Sequence, residues 1–125
     1  MGDNHTPIKS WSELQQRKEV TTEQVVDLYD VWAPTYDETV SKSQSAALAL
    51  SAVLSVVDSD TNKKELNILD IAAGTGRVGQ ELFENGFRKI DALEPSSEML
   101  NILKKRSSVV KQEKNGNESN HNLAI

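Results

Sequence analysis

Cysteine is absent from this 125-residue chain, so neither a disulfide frame nor thiolate chemistry is open to it, as in a cytoplasmic protein. Histidine is nearly absent. His5 and His121 lie in polar end segments, and no His/Asp/Glu group has the spacing of metal ligands. No serine stands with a positioned base, so neither a metal site nor a catalytic residue is assigned. An excess of basic residues is also lacking: 14 Lys and Arg face 19 Asp and Glu, for a net charge of −5. That balance disfavours nucleic acid and anionic membranes as main partners, because both reward a basic patch. The densest basic run, Lys104-Lys105-Arg106, suits the last turn of a helix.

Long apolar runs are missing too. The longest, residues 46–57, is interrupted by Ser51 and Ser55 and is too short to cross a bilayer. The first twenty residues hold no apolar core of a secretory signal. Gly2 and Thr6 fit the loose myristoylation pattern, but Asp3 sets a charge beside the glycine and no basic cluster follows, so the match is read as coincidence.

What is present divides into three parts: an N-terminal arm with a short helix (1–20), an α/β region (21–106) and a polar tail (107–125). Ser10 and Glu13 have capping-box spacing, which predicts a helix to about residue 18. Thr21 and Gln24 repeat it, opening a helix with Val25, Val26, Leu28, Tyr29 and Trp32 that Pro34 should end. Residues 43–57 suit a largely buried helix. Residues 66–71 suit a buried parallel strand, 77–85 a helix with Gly86 at its C-cap, and 90–93 a second strand. Ser96 or Ser97 should cap a helix to about 106. The tail lacks usable periodicity and is expected to be disordered, Val109-Val110 being its only hint of a third strand.

Function is concentrated in Gly74-Thr75-Gly76-Arg77-Val78-Gly79, a G-x-G-x-x-G run after a strand and at the start of a helix. Eighteen residues after Gly76, Glu94 ends the next strand. Glycines let a ligand approach the backbone, and an acid at that point can accept hydrogen bonds from ribose hydroxyls. A tight turn with a helix-packing glycine is the plainer alternative. Asp70 decides between ligands: a pyrophosphate at the helix N-terminus gains nothing from a nearby carboxylate, whereas an ammonium and a sulfonium do. An NAD-binding fragment is thus the weaker nucleotide reading.

Residues 68–76, Ile-Leu-Asp-Ile-Ala-Ala-Gly-Thr-Gly, resemble motif I of class I S-adenosylmethionine-dependent methyltransferases, and residues 91–100 resemble the segment after it. Tyr29-Asp30-Val31-Trp32-Ala33-Pro34-Thr35-Tyr36-Asp37 is similar to the signature of one branch, the Williams–Beuren-region methyltransferase-like proteins. The resemblance implies an α/β, partial Rossmann-like, three-layer fold with N-terminal helices and S-adenosylmethionine as cofactor. It implies that Gly74 and Gly76, with Ala72 beside them, pass the cofactor across their backbones. Asp70 would orient its amino group, Glu94 take the ribose hydroxyls, Pro95 and Met99 pack beside the adenine, and Tyr36 cover it. The plainer roles are turn stabilisation for Asp70 and core packing for Met99, Tyr29, Trp32 and Tyr36. Two strands stand where the family has seven, so the chain reads as a truncated cofactor half. It is expected to be marginally stable, to self-associate through an exposed sheet edge, and to turn over no acceptor. A non-catalytic binding or regulatory fragment is the rival from another class.

Overall fold

Two side-chain hydroxyls start the first helices in the computed structural model, which describes residues 8–113 and 122–124. Ser10 Oγ accepts from the Glu13 amide at 3.1 Å to open α1 (Trp11–Gln16). Thr21 and Gln24 complete a reciprocal capping box at the start of α2 (Thr22–Thr39). Pro34 does not end this helix; it lies inside it. An interior proline costs about 3 kcal/mol, and α2 tolerates it because carboxylates on both sides, Asp30 and Asp37, bind the rest of the molecule.

α3 (Ser45–Val56) is not the buried helix that its composition suggests. Leu50 and Val53 pack on the core, but Ala46 alone is fully buried, and Leu48 and Val56 are 65% and 81% exposed. The inner side of α3 meets α4 (Arg77–Glu84), while its outer side stays open.

β1 (Asn67–Ile71) and β2 (Lys89–Leu93) pair in parallel from Asn67↔Lys89 to Ile71↔Leu93, with α4 between them in sequence. α4 ends in a Schellman turn: the Phe87 amide donates to the Leu82 carbonyl and the Gly86 amide to that of Phe83, with Gly86 at φ +102. α5 (Ser97–Glu113) then runs past residue 106 into the segment expected to be disordered. Met99, Leu103, Ser107 and Val110 explain the extension, since they form one buried helical stripe, with Val110 in the core beside Phe83 and Ile90. Val110 is thus a helix residue and not a strand residue. The third strand is β3 (Asn122–Ala124), paired in parallel with β2. Sheet order is β1-β2-β3, and the chain is mixed α/β, compatible with a partial Rossmann-like fold.

The expected three layers are two among the described residues. Ile68 and Ile90 face a core built from α3, α4 and α5. On the opposite face Leu69, Ile71 and Leu93 are 54%, 71% and 51% exposed. A parallel sheet normally carries helices on both faces; here all the helices that reach it serve one. The outer edge of β1 has no strand partner among the described residues. Residues 1–7, 114–121 and 125 lie outside the described residues, and with them His5, His121, the Gly2–Thr6 pattern and nine residues of the expected tail.

Candidate functional site

The chain turns most sharply after β1. Ala72, Gly74 and Gly76 adopt left-handed backbone angles, φ +59, +60 and +87. Glycine does this freely; Ala72 does so at a cost of about 1–2 kcal/mol, strain of the kind that collects at ligand sites. The Ala73 amide donates to the Leu93 carbonyl at 3.0 Å, pinning the turn to the end of β2. Glu94 comes next. Its Oε1 accepts from the Gly74 amide and its Oε2 from the Ser96 amide, each at 2.8 Å. One carboxylate therefore joins the glycine turn to the β2–α5 turn, and each oxygen keeps a lone pair for a ligand.

Six of the eight expected site residues, Tyr36, Ala72, Gly74, Glu94, Pro95 and Met99, line one cavity of about 220 Å³. Thr22, Val25, Val26 and Tyr29 of α2 complete its wall with Ser96. A smaller hollow of about 70 Å³ continues past Tyr36 and Gly74 toward Arg77 at the start of α4. A side chain at Gly74 would meet nothing within 4 Å, so the backbone there is open to a ligand. Two roomier hollows, between α1 and α2 and along α5, do not touch the turn.

Asp70 and Gly76 are not among the residues that line this cavity. A Cβ at Gly76 would stand 3.0 Å from Leu103 Cγ, so this glycine serves the contact with α5. Asp70, next to last in β1, has a buried Oδ2 with no hydrogen-bond partner, so it does not bind the turn's amides through that atom. Burial first, and the charge of Glu94 second, push its carboxyl above the usual carboxylate range. A carboxyl raised in the folded state costs nothing below its ordinary value, 3.8, and its full penalty above the raised one. Asp70→Asn should therefore stabilise the fold at pH 7, by about 1 kcal/mol, because the neutral amide puts no buried charge beside Glu94. The gain should fade to nothing by about pH 3. Urea melts at both pH values check it, and a gain of equal size at both would exclude the carboxyl as its source.

Sequence reasoning gave Asp30 and Asp37 no role beyond a motif. They stand seven residues apart in α2, on one face. Asp30 Oδ1 accepts from Ser96 Oγ at 2.5 Å and from the Glu98 amide at 3.3 Å. Asp37 accepts from Thr75 Oγ1 at 2.5 Å and pairs with the Arg106 guanidinium. Arg106 also donates to the Thr75 carbonyl at 2.9 Å and to Gln80 Oε1 at 2.6 Å. The i, i+7 spacing was the available signal. Tyr29 and Tyr36 share it, and both reach the cavity. Burial raises the Tyr29 phenol, helped by Tyr36 and Glu94. Trp32 is half-buried and stands outside the buried core, in an aromatic cluster with Tyr36 at 4.7 Å, Trp11 at 5.7 Å and Tyr29 at 5.9 Å.

Among the described residues, no three His, Cys, Asp or Glu side chains could hold a metal ion together. Among them, too, no helix is long and apolar enough to cross a membrane. No family model matches the chain. It is 34% identical over 82 residues to a protein of Alkaliphilus oremlandii (strain OhILAs) named "Uncharacterized methyltransferase". That match takes in 62% of this chain and 38% of the relative, so the chain spans well under half the length of the curated protein it resembles. At a coarse level the likeness supports a methyltransferase relationship.

Proposed function

We propose that this chain is the cofactor-binding part of an S-adenosylmethionine-dependent methyltransferase. The observation that carries the reading is Glu94, held by the Gly74 and Ser96 amides at the wall of a cavity also lined by Tyr36 and Met99. The orphaned Oδ2 of Asp70 and the open backbone at Gly74 fit such a ligand. Glu94 would accept from the ribose hydroxyls, a charge-assisted arrangement. Pro95 and Met99 would flank the base, Tyr36 would cover it, and Asp70 would answer the cationic amino-acid end from behind the turn. When bound, the cofactor supplies an activated methyl group. The chain's own part is to orient it and shield it from water. The relative's name supports the transferase assignment, and the segment from Tyr29 to Asp37 points to the Williams–Beuren-region-like branch.

Isothermal titration of the folded chain tests the reading. S-adenosylmethionine and S-adenosylhomocysteine should both bind, and NAD should not, because its pyrophosphate would meet the carboxyl of Asp70, which suits a cationic group instead. Binding of NAD, or of neither adenosyl ligand, would overturn it.

The bare face at Leu69, Ile71 and Leu93 and the open β1 edge favour a second reading, a chain that binds the ligand and a protein partner without turnover. Methyl transfer by the purified chain alone would exclude that second reading.

A further inference from the structure

Glu94 is a flexible side chain at the mouth of a short turn, yet both of its oxygens are engaged. Their donors, the amides of Gly74 and Ser96, belong to different loops, so the carboxylate holds its place only while both loops do. Each loop has a fully buried hydroxyl beside or on the donating residue: Thr75 next to Gly74, and Ser96 itself, both 1% exposed. Neither hydroxyl finds its acceptor within its own loop. Thr75 Oγ1 donates to Asp37 and Ser96 Oγ to Asp30, across 38 and 66 residues of sequence.

We propose that Asp30 and Asp37 are positioning residues for Glu94: from one face of α2 they grip the two loops whose amides hold its carboxylate. The proposal rests on the role given to Glu94 above. The path runs from the α2 carboxylates to the loop hydroxyls, from the loops to their amides, and from the amides to Glu94. Both acids are needed because a single grip fixes one oxygen and leaves the carboxylate free to swing about the other. Arg106 balances the charge at Asp37 and ties the same loop to α5. Asp30 instead accepts from a second amide, that of Glu98, at the start of α5. A helix that only covered the cavity would need neither contact, since Val25, Val26 and Tyr29 already supply an apolar wall.

The test compares four variants of the full chain. Asp30→Ala and Asp37→Ala remove the acceptors; Thr75→Val removes one donor at nearly constant volume, and Ser96→Ala removes the other together with the cap on the Met99 amide. Hydrogen exchange read by amide should quicken about tenfold at Gly74 in Asp37→Ala and Thr75→Val, and at Ser96 in Asp30→Ala, with the core amides of Phe83 and Ile90 unmoved. In each variant S-adenosylhomocysteine should bind about three- to thirtyfold more weakly. In a Glu94→Gln background most of that loss should vanish, because residues that act through one another are not additive. Acceleration spread evenly over the chain, core included, would reduce the acids to helix anchors and overturn the proposal. Binding losses that add in full to that of Glu94→Gln would do the same. If the parent chain fails to bind S-adenosylhomocysteine, the proposed function falls, and the exchange pattern alone still decides whether Asp30 and Asp37 set the loops.

Discussion

Glu94→Ala should weaken S-adenosylhomocysteine binding by about 3 kcal/mol, or more than a hundredfold. Two losses combine. The ribose hydroxyls lose a charged acceptor, which is worth more than a neutral one. The Gly74 and Ser96 amides also lose their common partner, so the two turns that shape the cavity are no longer joined. Glu94→Gln should fall between the parent and Glu94→Ala: its amide oxygen serves one backbone donor while its NH₂ confronts the other. Titration calorimetry on both variants, with thermal melts to establish that they are folded, measures the two steps. An affinity unchanged in Glu94→Ala would move the ribose site elsewhere.

Gly76→Val should cost stability rather than affinity, by about 2–5 kcal/mol. At φ +87 a β-branched residue pays for a left-handed backbone, about 1–2 kcal/mol or more. Its Cβ would also press on Leu103 Cγ at 3.0 Å, and overpacking of that kind adds about 1–3 kcal/mol. Against a total stability of about 5–15 kcal/mol this is a large share. Gly74→Ala offers the contrast. It shares the positive φ but meets open space, so it should cost only about 1 kcal/mol of stability while its methyl group enters the cavity and weakens binding. Melts and titrations on the pair should separate a packing glycine from a ligand glycine. Equal profiles in both assays would mean that the whole turn is structural.

The motif itself was legible because its chemistry is local. Hydroxyl caps at Ser10, Thr21 and Ser96 and the glycine turn depend on neighbours within a few residues, and Glu94 on a partner twenty residues away across one strand–helix–strand unit. What escaped depends on distant partners. Pro34 looks like a helix stop until Asp30 and Asp37 are seen to be held on either side of it. Gly76 looks like a ligand glycine until α5 is placed against it. Residues 107–113 look like a polar tail because, among 107–110, only Ser107 and Val110 face inward, too sparse a stripe to stand out in a polar stretch. The apolar run at α3 misled in the opposite sense: composition reports what could be buried, not whether a partner exists to bury it.

The attachments of α2 also set an order of assembly. β1 and β2 meet across 22 residues, from Asn67 to Lys89, with a helix already spanning the gap. The grips of Asp30 on Ser96 and of Asp37 on Arg106 enclose 66 and 69 residues. Tripling a loop adds only ~1 kcal/mol of closure entropy, but contacts so far apart in the chain are repaid only after the pieces they join exist. The strand–helix–strand unit is therefore expected to form first, with α2 arriving on a finished surface. The same element should be the first to come away under mild denaturant, and Thr22, Val25, Val26, Tyr29 and Tyr36 would leave the cavity with it.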